Sequence, residues 1–124
     1  MIGATFDTGA LIALERRDLD MVVKLRVLHQ AGAPITIPAA AVLEWWRKGH
    51  GQSAILELGT FEPLTQAIAK AAGEALSKVR GATAIDAAIM ASAAQRGDRV
   101  FTLDPSDMQR LQRHFRAVAD IIAV

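Results

Sequence analysis

The stretch Met1-Ile2-Gly3-Ala4-Thr5-Phe6-Asp7-Thr8-Gly9 decides the fold class. A short, mostly apolar run leads straight into an acid, a hydroxyl and a glycine, the pattern of a buried strand that ends in a loop or helix start. Similar runs follow downstream. Pro34-Ile35-Thr36-Ile37-Pro38 is a short strand bounded by prolines, Thr60 to Leu64 a weaker one, Arg99 to Leu103 another, and Ala117 to Val124 is apolar enough for a last. Helical patterns fill the intervals: residues 9–16, 19–31 ended by Gly32, Ala39 to Lys48 with Pro38 helping to set its start, 52–59, 65–80, 83–96 stopped by Gly97, and Pro105 to His114. Short apolar strands alternating with helices predict an α/β domain with a mostly parallel sheet. No repeat, linker or low-complexity segment interrupts the pattern.

At 124 residues and 13.3 kDa the expectation is a single domain spanning 1–124. A chain of that size buries roughly two thirds of its unfolded surface. The apolar fraction of 52% is rich in Ala with Leu, Ile and Val and contains four Phe, two Trp and no Tyr, a mixture suited to helices packed closely on a sheet. Cysteine is absent, which excludes disulfides, thiolate metal sites and a cysteine nucleophile, and makes a reducing cytoplasm the natural home. The N-terminus lacks the basic start and long apolar core of a signal peptide, and no stretch approaches the apolar length of a membrane span. A soluble, cytoplasmic protein without a membrane role is therefore expected.

The formal net charge of +1, from 14 Lys and Arg against 13 Asp and Glu, neither announces nor excludes a nucleic-acid partner. The distribution of the acids says more. Asp7 in residues 1–14, Glu44 in 27–46 and Asp86 in 81–95 each stand alone in windows with no other charged side chain, and Asp104 closes the apolar run Val100-Phe101-Thr102-Leu103. Gathering the four in one site would leave a distinctly basic remainder, with Arg16, Arg17, Lys24 and Arg26 early and Arg96, Arg99, Arg110, Arg113 and Arg116 late. The plain reading of those bases is solvated helix faces.

Ionised carboxylates are rarely buried unless they are paired or hold a metal. Asp7 and Asp104 each end a predicted strand, the edge at which open α/β sheets bind ligands where the strand order reverses. Helix capping explains three of the acids separately. Asp7 can cap the next helix, Asp104-Pro105-Ser106-Asp107 reads as an N-cap with proline at the first helical position, and Thr83-Ala84-Ile85-Asp86 resembles a capping box. Glu44, a turn or more inside Ala40-Ala41-Val42-Leu43-Glu44-Trp45-Trp46, has no capping role, although a solvated helix stripe would account for it. An oxygen-only acidic set suits Mg²⁺ or Mn²⁺ and argues against zinc. Crowded carboxylates have raised pKa values unless a cation neutralises them. The chemistry such a site supports is metal-assisted phosphodiester hydrolysis.

Together these motifs resemble the PIN-domain ribonucleases: Asp7-Thr8-Gly9-Ala10-Leu11 after the first strand, Glu44 in Ala-Val-Leu-Glu-Trp, Thr83-Ala84-Ile85-Asp86-Ala87-Ala88-Ile89 leading to Gly97-Asp98, and Thr102-Leu103-Asp104-Pro105. In length the chain is similar to the VapC toxins of bacterial toxin-antitoxin pairs. The resemblance implies a three-layer α/β/α PIN-like domain with a parallel sheet, an acidic pocket for Mg²⁺ or Mn²⁺, and cleavage of single-stranded or looped RNA. By motif position Asp7 and Asp86 would be direct ligands, Glu44 and Asp104 would complete the site directly or through water, and Thr8 and Thr102 would support it. Asp107 is a further acid whose place at a helix start gives it a competing role. A cognate antitoxin and a homodimer are also implied.

Other residues add less. Trp45 and Trp46 lie about 100° apart on a helix, so both cannot face one partner, and core packing is expected of both. His29, His50 and His114 lack metal-ligand spacing, and Gly49-His50-Gly51 is not a phosphate loop. Two other readings remain: a non-catalytic RNA- or partner-binding module of the same fold, and a phosphatase with a strand-end aspartate nucleophile. The second is disfavoured because Asp7-Thr8-Gly9 offers no second acid two residues on.

Overall fold

The computed structural model describes residues 1–49 and 51–124; His50 lies outside them. Strands β1 (Ala4–Phe6), β2 (Ile35–Pro38), β3 (Thr60–Glu62), β4 (Arg99–Thr102) and β5 (Asp120–Ala123) form a five-stranded sheet in the order β3-β2-β1-β4-β5. Every pairing is parallel, with Thr5 opposite both Thr36 and Val100. The predicted strands are thus all present. β4 ends at Thr102, one residue before Leu103, which is exposed in the loop that follows.

Helices α1 (Thr8–Glu15) and α2 (Leu19–Ala31) connect β1 to β2, while α3 (Ala39–Trp45) and α4 (Gln52–Leu56) connect β2 to β3. Helices α5 (Gln66–Lys78) and α6 (Ala84–Arg96) cross back to β4, and α7 (Pro105–Gln112) leads to β5. The first two crossovers run one way across the sheet and the last two the other. Right-handed connections, the rule for parallel strands, then require helix layers on both faces. The chain reverses direction at β1 and β4, so the carboxyl ends of these central strands flank the crevice where ligands bind in such sheets.

Local chemistry sets the boundaries. Asp18, Thr65 and Thr83 accept from the backbone N–H groups of Met21, Ile68 and Asp86, each at 3.2 Å, capping α2, α5 and α6. Gly32 and Gly97 end α2 and α6 with φ of 67° and 71°, a left-handed conformation that costs glycine little.

The third helix is shorter than its sequence pattern predicts, ending at Trp45 instead of Lys48. Gln52 supplies the reason. Its buried side chain accepts from the backbone N–H groups of Arg47 and Gly49 at 3.1 and 2.8 Å and donates to the Trp45 carbonyl at 3.2 Å, so it takes up groups that a longer helix would use.

The core includes Phe6, Leu11, Ile37, Ile89, Met90, Val100 and Met108, with Phe6 and Phe101 packed edge to face at 5.5 Å. Trp45 is buried and donates from its indole to Glu15 at 3.1 Å, while Trp46 packs on the core at its margin. No helix among the described residues is long and apolar enough to cross a membrane.

Candidate functional site

Asp7 follows the central strand β1 and is only 5% exposed. Its Oδ1 accepts from the Ala10 N–H at 2.9 Å, so the capping reading of the sequence holds for this residue. Capping does not offset its burial. Desolvation drives the Asp7 pKa from 3.8 to about 6; hydrogen bonds from Thr102 and the backbone pull it down, and the charge of Asp86 adds to the rise. Thr102 is wholly buried at the end of β4, beside β1. Thr8 Oγ1 is buried with no hydrogen-bond partner among the described residues, leaving an unused oxygen next in sequence to Asp7.

Asp86 is half-buried in the first turn of α6, where Thr83 caps the helix. Its pKa is raised first by burial and then by the negative charges of Asp107, Glu44 and Asp104, while the Thr83 hydroxyl lowers it. Two strand ends, α3, α6 and α7 therefore bring their acids into one electrostatic neighbourhood.

Isolation in apolar sequence suggests buried charge, and the structure shows it for Asp7 and in part for Asp86. Glu44 is exposed near the end of α3, and Asp104 is exposed in the loop after β4. An acid at the rim keeps its hydration, so Asp7 alone is fully withdrawn from water. Asp104 occupies the N-cap position of α7 but makes no capping bond to the helix. Its Oδ1 instead accepts from Ser106 Oγ at 3.0 Å, and its backbone N–H donates to Thr102 Oγ1 at 2.9 Å.

Asp107 is closer to the centre of the electrostatics than its helix-start position in the sequence suggests. It exerts the largest charge effect on Asp86. It also shares a hydrogen bond with Asp104 that holds Asp104 below the usual carboxylate range and raises Asp107 itself. The i, i+3 spacing of Asp104 and Asp107 was the available signal, since both fall on one side of the α7 start.

Among the described residues, no three His, Asp or Glu side chains are gathered tightly enough to form a ready-made cation cage. The donor set nonetheless fits Mg²⁺, which keeps several waters and takes one or two carboxylates. A buried Asp7 whose charged form is disfavoured by desolvation, a charge-crowded Asp86 and the orphaned Thr8 hydroxyl are all groups whose energetics a hard cation would relieve.

A second polar cluster escaped sequence reasoning. Asp98, 3% exposed just before β4, accepts from Thr5 Oγ1 at 2.8 Å and from Arg96 Nε at 2.9 Å. Arg96 also donates to Ser92 and Thr5, each at 3.0 Å, and pairs with Glu62, which accepts from Ser92 at 2.7 Å. One guanidinium thus ties β1 and β3 to α6 and to the start of β4. Thr5 lies two residues before Asp7, and Arg96 is on the helix that carries Asp86.

No family model matches the chain, and no curated protein does. Among solved structures it is similar to the crystal structure of FitAcB from Neisseria gonorrhoeae, with a TM-score of 0.67 and 20% identity over 96% of each chain. At that identity the likeness is one of fold, a three-layer α/β/α PIN-like arrangement around a mostly parallel sheet.

Proposed function

We propose that the protein is a cytoplasmic Mg²⁺- or Mn²⁺-dependent endoribonuclease, the toxin of a type II toxin-antitoxin pair, whose site is covered by a cognate antitoxin and which acts as a homodimer. The observation that carries this reading is Asp7: a carboxylate buried at the carboxyl end of the central strand, with a pKa of about 6, within reach of the charge of Asp86. A fold has little reason to keep such a group for stability alone. The sequence resemblance to PIN-domain ribonucleases and the shared architecture with FitAcB agree with it. Exposed Leu43 beside Glu44, and Leu19, Val23 and Val27 along α2, are apolar surface of the kind protein partners cover.

Asp7 and Asp86 would hold the cation, with Glu44 and Asp104 completing the site directly or through water. When bound, the cation supplies an ionised water nucleophile and neutralises charge developing on the phosphate. Asp7 is held in place by Ala10 and Thr102, so its carboxylate is preorganised at the crevice floor. Asp86 is fixed by the capped first turn of α6. Exposed Glu44 and Asp104 at the rim can reach substrate or solvent.

The test is incubation of purified protein with single-stranded and hairpin RNA, with Mg²⁺ or Mn²⁺ and with chelator. Internal cleavage that stops on chelation is expected. RNA left intact at every cation concentration would remove the nuclease reading.

A further inference from the structure

Arg110 stands beside the acidic crevice and is gripped from three sides. Its Nη2 donates to Asp107 Oδ1 at 3.1 Å and its Nη1 to the Arg80 carbonyl at 3.4 Å. Gly81 closes the third side. A Cβ at Gly81, whose φ is 81°, would lie 2.8 Å from Nη1, so any larger residue there would push the guanidinium away. A guanidinium carries five N–H donors in a plane. These two bonds leave donors to spare, and the side chain is 47% exposed.

Arg110 shares one open depression on α7 with Ser106, Gln109 and Arg113. Arg110 and Arg113 are three residues apart and therefore neighbours on one helix face. Two guanidinium forks with the Gln109 amide make a donor-rich set suited to a phosphate group, while the Ser106 hydroxyl is already given to Asp104. The placement is informative because the adjoining crevice is acidic and repels a phosphodiester chain. Arg110 is also the base whose charge lowers the pKa of both Asp104 and Asp107, so it is electrostatically part of the crevice margin.

Building on the nuclease reading above, we propose that Arg110, assisted by Arg113, binds a backbone phosphate of single-stranded RNA next to the scissile one and so positions the strand across the acids. Asp107 and the Arg80 carbonyl orient the guanidinium fork, and the exposed edge takes the phosphate. Arg110 is a positioning residue in this scheme. It does not touch the reacting bond.

The experiment measures binding of a fluorescein-labelled oligouridine by anisotropy across a salt series, in an Asp7→Asn background that prevents cleavage. Arg110→Gln is expected to weaken binding about 5- to 20-fold and to lower the slope of log K against log salt by about 0.7, the value of one lost phosphate contact on a single strand. Arg110→Lys should retain the slope, because it keeps the charge. Adding Asp107→Asn to Arg110→Gln separates direct contact from repulsion by an unpaired Asp107: the slope stays low for direct contact, and its return to the parent value would overturn the proposal. If Arg110→Gln does not fold, Arg113→Gln carries the same test.

Affinity and slope unchanged in the folded variants would defeat the phosphate assignment while wild-type cleavage left the nuclease reading standing. A falling slope in a protein that never cleaves RNA would do the reverse.

Discussion

Taking a carboxylate out of water favours its protonated form, and Asp7 carries this effect furthest in the chain. Its folded pKa of about 6 lies above the ordinary 3.8, so the native state binds the extra proton between those values. That contribution to stability is present below about pH 4 and lost as pH rises through about 6. The full shift corresponds to roughly 3 kcal/mol. Asp7→Asn keeps a helix-capping oxygen but removes the charge. In metal-free buffer above pH 7 it should therefore be more stable than wild type by about 1–3 kcal/mol, with the difference fading towards pH 4. Paired urea titrations at several pH values check this, and a variant less stable than wild type at pH 8 would refute it. The sequence marks Asp7 by its lack of charged neighbours. It cannot separate Asp7 from Glu44 or Asp104, because depth is set by what packs around each residue: Asp7 caps α1 beside the buried Thr102, whereas the other two reach solvent.

Elements aim these side chains, and the first turn of α1 packs tightly on the loop after β4. A Cβ on Gly9 would lie 2.8 Å from Leu103 Cβ and 2.9 Å from its backbone nitrogen. Gly9→Ala should accordingly cost about 1–3 kcal/mol by overpacking. Because Asp7 and Asp104 flank that contact, it should reduce RNA cleavage beyond what the stability loss explains. Thermal melts and cleavage rates on one preparation would show it, and an unchanged melting temperature would count against the close approach.

Element order was legible from alternating apolar runs and from caps such as Thr83 and Gly97. The early end of α3 was not, because Gln52, which captures the chain after Trp45, looks in sequence like any polar helix residue. The nearness of Asp107 to Asp86 was not legible for a related reason. Its helix-start position suggested a local role, while the packing of α7 beside α6 makes it a neighbour of Asp86.

Across the whole molecule, the Arg96 cluster joins parts of the chain that are far apart in sequence: Thr5 and Arg96 are separated by 91 positions. No local pattern announces it, and in sequence Arg96 looks like one more solvated base. Arg96→Met would leave Asp98 buried with only Thr5 as a side-chain donor, and should lower stability by about 2–4 kcal/mol. Chemical denaturation measures the effect, and a loss below about 0.5 kcal/mol, the scale of an ordinary surface substitution, would mean the cluster is solvated and unimportant. Two of the elements it anchors, β1 and α6, lead into Asp7 and carry Asp86, so the same packing that stabilises the sheet sets the spacing of the acids. In the proposed function, Asp7 and Asp86 form one cation site serving RNA cleavage. Calorimetric titration of Mn²⁺ into wild type, Asp7→Asn and Asp86→Asn, with RNA cleavage followed on the same samples, tests it most directly. Saturable binding and cation-dependent cleavage are expected in wild type, with both lost in each folded variant; Mn²⁺ binding and cleavage persisting undiminished in Asp7→Asn would overturn the assignment.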